Sequence, residues 1–196
     1  MEMILIRHGQ TEYNKKGVYH GWIESELDDV GISQAEDSAK LLCGEKIDVI
    51  YTSPLKRSAS TAEIISQSTE NPPIIISENI KEVNFGLFDG LSYEEISTKY
   101  NDEANKWNEA PLGYHFPEGE SIPQFFERIK LFLDELIDKE YKKVVVVSHD
   151  GCIKYILSYI MCGSGELFWK FKVSTGSISR ISFERDFSFL ISLNEN

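Results

Sequence analysis

The chain has 196 residues, 41% hydrophobic, 12% aromatic and 27% charged, a length and composition that suit one domain (residues 1–196) with a substantial core of its own. Lys and Arg total 20 against 32 Asp and Glu, and the resulting net charge of −12 argues against nucleic acid, whose binding needs basic surface to displace counterions. No run approaches the roughly 20 apolar residues of a membrane span, and no leader-like segment precedes the first strand.

Strand-like and helix-like segments alternate, the pattern of an α/β domain with a mostly parallel sheet. Met3 to Arg7 reads as the first strand. Asp28 is placed to cap a helix reaching about Leu42, with Ala35, Leu41 and Leu42 on its apolar face and Gly44 as its stop. Ile47 to Tyr51 reads as a second strand, and Ser53-Pro54 as an N-cap followed by proline in the first helical position of a helix to about Gln67. Ile74-Ile75-Ile76 is a short strand, Tyr93 to Trp107 an interrupted helix, and Ala110 to Gly119 a loop. Ser121 and Gln124 fit a capping box for a long amphipathic helix, Ile122 to Lys139. Lys143 to Val147, apolar on both faces, is the clearest central parallel strand, and a helix follows from about Gly151 to Met161. Ser177 to Phe183 and Phe187 to Leu193 read as a hairpin around Glu184-Arg185-Asp186.

Four groups fall just past the carboxyl ends of strands, where a parallel sheet places its ligands. Arg7-His8 ends the first strand, Arg57 lies in the first turn after the second, Glu82 follows the third, and His149 ends the central one. Each alone has an ordinary structural reading: a hydrogen-bonded histidine, a surface arginine, an exposed carboxylate. Thr11 and Asn14 likewise read as turn and capping residues. Together they supply what phosphoryl transfer through histidine requires. That is a neutral imidazole nucleophile, guanidinium forks for the phosphoryl oxygens, a second histidine and a carboxylic acid for the departing alkoxide.

The ordered series of motifs resembles the histidine phosphatase superfamily, the phosphoglycerate-mutase-like proteins, across essentially the whole chain. It runs Leu5-Ile6-Arg7-His8-Gly9-Gln10-Thr11 with Asn14, then Gly21-Trp22, Leu27, Gly31 and Gln34-Ala35. It continues with Thr52-Ser53-Pro54-Leu55, Arg57 and Thr61-Ala62, then Glu82-Val83-Asn84-Phe85-Gly86 with Asp89-Gly90. Gly119-Glu120-Ser121 with Arg128, and Ser148-His149-Asp150-Gly151, complete it. The resemblance implies a three-layer α/β/α fold and a phosphomonoesterase. His8 would be the nucleophile, Glu82 the proton donor and acceptor, and Arg7, Arg57 and His149 the cradle of the phosphoryl group. The implied substrate-binding set is Arg7, Thr11, Asn14, Gly21, Trp22, Arg57 and His149, with no metal and no cofactor.

Two residues depart from the family pattern. Gln10 stands where glutamate is common, and Asp150 where glycine is frequent, so Asp150 is expected to turn away and cap the following helix. Cys43, Cys152 and Cys162 have no CxxC spacing and read as reduced thiols of a cytoplasmic protein, Cys152 as a packed one. Trp22, Trp107 and Trp169 read as core or rim residues, and His20 and His115 share no metal-ligand spacing.

Within the family, the compact length is more like a phosphatase than a cofactor-dependent phosphoglycerate mutase, which is kept as an alternative. A non-catalytic phospho-ligand module would be expected to lack the nucleophile or the acid. A nucleotide-binding protein would carry a glycine-rich loop where this chain has only Gly9. The expected partner is a small phosphorylated metabolite, and the oligomeric state stays open, a homodimer included. The motifs resemble the α-ribazole phosphatases of cobalamin assembly and the broad-specificity phosphatases about equally. Tyr19, His20, Trp22, Tyr114, His115 and Phe116 are the candidate aromatic rim that would favour a planar substrate such as α-ribazole phosphate.

Overall fold

A computed structural model of the chain describes residues 1–184 and 187–196. Six strands form one sheet: β1 (Glu2–Arg7), β2 (Val49–Thr52), β3 (Ile74–Ile76), β4 (Lys143–Ser148), β5 (Ile178–Glu184) and β6 (Phe187–Glu195), in the order β3-β2-β4-β1-β5-β6. The first four in that order run parallel, while β5 pairs antiparallel with β1 and β6 antiparallel with β5. The helices are α1 (Glu12–Lys16), α2 (Asp29–Leu41), α3 (Lys56–Ser68), α4 (Tyr93–Lys99), α5 (Asn101–Glu109), α6 (Ile122–Ile137) and α7 (Asp150–Cys162).

The period-2 alternation of the central strands divides the core in two. Ile4, Ile6, Val145 and Val147 join Ala39, Leu42, Ala62 and Ile65 from the α2 and α3 side. Met3, Leu5, Val144 and Val146 pack with Phe125, Ile129, Phe132, Ile153 and Ile156 of α6 and α7. The result is the three-layer α/β/α arrangement. Val144 to Val147 are wholly buried, as a strand covered on both faces must be.

The capping box of Ser121 and Gln124 forms at the start of α6, and Tyr100 interrupts the α4–α5 pair. Three local expectations are corrected. Leu41 is 44% exposed, because Ala35, Ala39 and Leu42 define the inward face and Leu41 falls beside it. Gly44, at φ +81, closes a turn beyond the C-cap, which is Leu42. The Ser53-Pro54 start of α3 also moves: Leu55 takes the N-cap position and the helix begins at Lys56. The Ser53 amide still donates to Val147 O at 3.3 Å, so the backbone leaves the sheet too late to start a helix there. Of the expected hairpin turn, Arg185 and Asp186 lie outside the described residues. Among the described residues, no helix is long and apolar enough to cross a membrane.

Candidate active site

The tips of β1 and β4 are joined where the His8 amide donates to Ser148 O at 2.9 Å, and this brings the two histidine rings to 5.1 Å between centroids. His8 is 3% exposed, and its Nδ1 lies 2.7 Å from Gly9 O. A carbonyl only accepts, so Nδ1 carries the proton of the neutral ring and Nε2 keeps its lone pair. Burial, then the charges of Arg57 and Arg7, hold the His8 pKa well below its ordinary value. The imidazole is therefore neutral and nucleophilic at neutral pH.

Arg57, in the first turn of α3, is completely buried. Its Nη2 donates to Gly21 O at 2.7 Å and His20 O at 3.2 Å, and its Nη1 to Ile23 O at 3.1 Å. Nη1 also lies 3.1 Å from His20 Nε2, which accepts from it. Burial lowers the Arg57 pKa to about 10, against the pull of Glu82, so the side chain remains a cation at neutral pH. Arg7 Nη1 donates to Val173 O at 2.5 Å. Among the described residues, Nε of Arg7, Nε of Arg57 and both ring nitrogens of His149 are buried without a hydrogen-bond partner. Such groups are rare in a finished core and point to a polar ligand. Burial, followed by Arg57 and His8, lowers the His149 pKa well below its ordinary value.

Glu82 is 7% exposed. Its Oε1 accepts from the Val83 amide at 3.0 Å and its Oε2 from the Gly151 amide at 3.1 Å. Burial raises the carboxyl pKa, aided by the nearby Asp150, while the two amides and Arg57 pull the other way. The segment carrying Glu82 is braced from behind by Arg128 of α6, which donates to Asn79 O, Lys81 O and Glu82 O and pairs with Glu120. Gly86, at φ +53, lets this segment meet the 117–119 loop: a Cβ there would lie 2.0 Å from Pro117 O.

A cavity of about 170 Å³ opens over these groups. Arg7, His8, Asn14, Glu82, Asp150 and Lys154 supply its polar lining, and Tyr19, Phe85, Trp107, Phe116, Phe168 and Trp169 its aromatic walls. Arg57 and His149 are fully buried and are not part of this lining. Thr11 caps α1, its amide and hydroxyl both donating to Asn14 Oδ1 at 3.0 Å, which leaves the Asn14 amide NH2 for the cavity. Gly21 and Trp22 stand outside the lining. Gly21 gives its carbonyl to Arg57, and the Trp22 indole N–H donates to Glu82 O at 2.8 Å. Both brace the site from behind.

Of the expected aromatic rim, Tyr19, His20 and Phe116 line the cavity. Tyr114 is in the core, stacked on Trp107 at 5.9 Å, and Trp22 and His115 are absent from the lining. Sequence reasoning missed Phe85, Lys154 and Phe168 as cavity residues. Only Lys154 left a signal, since it follows Asp150 by one helical turn.

Asp150 itself contradicts the expected cap. His149 is the N-cap residue of α7 and Asp150 is its first helical residue. Its Oδ1 lies 3.4 Å from Arg7 Nη1 and its Oδ2 2.5 Å from Lys154 Nζ. Two cations within reach hold the carboxylate in place of a backbone amide. Cys152 is buried and donates to Lys81 O at 2.9 Å, and burial pushes its thiol pKa up. That is a packed thiol, not a nucleophile. Among the described residues, no group of three His, Cys, Asp or Glu side chains is arranged to hold a metal ion.

This sandwich, with its site at the carboxyl edge of the parallel strands, is of the phosphoglycerate-mutase-like class. The family model for the histidine phosphatase superfamily (branch 1) matches residues 3–196. The chain belongs to that family, and it is a phosphatase. It is 33% identical over 195 residues to phosphoserine phosphatase 1 of Hydrogenobacter thermophilus, covering 99% of this chain and 92% of that one. It is 30% identical over 200 residues to adenosylcobalamin/alpha-ribazole phosphatase of Escherichia coli, covering 99% and 96%. The crystal structure of alpha-ribazole phosphatase from Shigella flexneri superposes with a TM-score of 0.92 at 27% identity, over 100% of this chain and 96% of that one.

Proposed function

We propose that the chain is a metal-independent phosphomonoesterase working through a phosphohistidine on His8. The observation that carries the reading is the His8 Nδ1–Gly9 O hydrogen bond, which leaves Nε2 as the free lone pair beside the cavity. In the first step Nε2 attacks phosphorus as the P–O ester bond breaks. Glu82 gives its proton to the departing alkoxide, while Arg7, Arg57, His149 and Asn14 hold the phosphoryl oxygens. In the second step the Glu82 carboxylate takes a proton from water. The hydroxide so formed displaces His8, returning the free imidazole and inorganic phosphate.

For the substrate we propose a phosphomonoester with a planar organic group, α-ribazole phosphate being the named case. Support comes from the aromatic walls, which offer stacking surface, and from the similarity to the E. coli and Shigella proteins. A small acyclic phosphate such as phosphoserine is the second reading. The Asp150–Lys154 pair in the lining favours it, since it matches a zwitterionic head group, as does the similarity to the Hydrogenobacter protein.

Acid quenching during turnover should trap an acid-labile phosphoprotein in wild type and none in His8→Ala, and exhaustive chelation should leave turnover unchanged. Turnover by His8→Ala, or magnesium rescue of a chelated enzyme, would overturn the mechanism. Comparing kcat/KM for α-ribazole phosphate, phosphoserine and simple sugar phosphates decides the substrate.

A further inference from the structure

Asp150 and Glu82 approach the same stretch of α7. The Gly151 amide binds Glu82 Oε2, and the neighbouring residue, Asp150, lines the same cavity as Glu82. Asp150 is also the bridge between Arg7 and Lys154. Arg7 Nη1 also donates to the carbonyl of Val173. A single carboxylate thus touches one member of the proposed phosphate cradle and faces the proposed proton donor.

We propose that Asp150 is a positioning residue for hydrolysis: it anchors the Arg7 guanidinium and sets a negative charge in the same cavity as Glu82, the donor for leaving-group departure. The inference rests on the reading of Glu82 as the proton donor. Glu82 must enter the first step with its proton and leave it as a carboxylate, so any fixed negative charge nearby favours the starting form.

The groups that face Glu82 from each packed element can be weighed. From β1 come His8, neutral, and Arg7, whose charge is engaged by Asp150. From α3 comes Arg57, which favours the ionised carboxylate. From α6 comes Arg128, whose charge is matched by Glu120. From the end of β4 comes His149, neutral, and from α7 Cys152, whose raised pKa leaves it an uncharged thiol. On its own segment, Lys81 sits over the Trp22 ring, 3.4 Å from its centroid. Against Arg57 stands the charge of Asp150, which it shares with Arg7 and Lys154, and it acts in the same direction as burial. Lys154 partly neutralises that charge, so the effect on Glu82 is a fraction of a bare carboxylate's.

Two variants separate charge from anchoring. Asp150→Asn keeps an acceptor oxygen for Arg7 and removes the charge, while Asp150→Ala removes both. The readout is the pH dependence of kcat for an alkyl phosphate and for p-nitrophenyl phosphate, whose phenolate leaves without a proton. For Asp150→Asn, the basic limb of the alkyl profile should move to lower pH. Activity at that edge should fall by about 10-fold, a part of the 10²–10⁴-fold that acid assistance supplies. The nitrophenyl profile should move far less than the alkyl one. Asp150→Ala should add a several-fold rise in KM for both substrates. An alkyl profile for Asp150→Asn that superimposes on wild type, or equal displacement for both substrates, overturns the proposal. Glu82→Gln is the control. If it spares the alkyl-to-nitrophenyl rate ratio, the donor assignment has failed; if it collapses the ratio while Asp150→Asn does nothing, only the role of Asp150 has failed.

Discussion

The amide of Gly151 donates to Glu82 Oε2 at 3.1 Å, and a Cβ added to Gly151 would stand 2.5 Å from Glu82 Oε1. The first turn of α7 therefore holds the carboxyl group and leaves no room beside it. Gly151→Ala should push the carboxyl out of place while the fold survives, because the crowded atom is the end of a side chain. The expected result is a stability loss of no more than about 1–3 kcal/mol. Turnover of alkyl phosphates should fall by about 10²-fold, as for other losses of acid–base assistance. Thermal melts beside kinetics check this, and full activity in the alanine variant would show that Glu82 is not held as described.

Acid should destabilise the protein through its buried imidazoles. His8 and His149 have pKa values held well below normal, and that of His20 falls to about 3, in each case chiefly by burial. Below pH 6.5 the unfolded chain takes up these protons and the folded chain does not. Stability is thus fully present above about pH 6.5 and declines as pH falls towards the folded values. Each group contributes at most about 1.4 kcal/mol per pH unit. Glu82 and Asp89, whose pKa values are raised by burial, bind protons more readily when folded and so trim the loss at lower pH. Urea midpoints should fall steadily from pH 6.5 to pH 5, and a flat profile would contradict the neutral, buried histidines.

Arg128 satisfies three main-chain carbonyls around Glu82 as well as the Glu120 carboxylate. Arg128→Ala strands these acceptors and should cost about 2–4 kcal/mol, with reduced turnover because the Glu82 segment loses its brace. Arg128→Lys should recover little, since an ammonium cannot reproduce the fork. Calorimetry on both variants is the check, with recovery by lysine as the contrary outcome.

Thiol chemistry should leave catalysis alone. Cys43 and Cys162 are exposed, while Cys152 is buried with its pKa raised by that burial. Alkylation of the native protein should label the first two, spare Cys152 and preserve activity, as mass mapping beside an assay would show. Rapid loss of activity on labelling of Cys152 would reopen its role.

The sequence by itself determined the central strands, the capped start of α6 and the chemical types gathered at the strand ends. These follow from signals acting within a few residues: uninterrupted apolar runs, a serine placed three residues before a glutamine, and polar groups where a buried strand stops. Tertiary structure decided how those groups are used. Asp150 looked like a helix cap and instead joins Arg7, 143 residues away in the chain, to Lys154. Trp22 and Gly21, expected at the substrate, brace Glu82 and Arg57, and of the expected aromatic rim Tyr114 went to the core. A side chain's partner across the sheet depends on which loop carbonyls and which charges the packed layers bring within about 3 Å, the reach of a hydrogen bond. No periodicity along the chain encodes that distance.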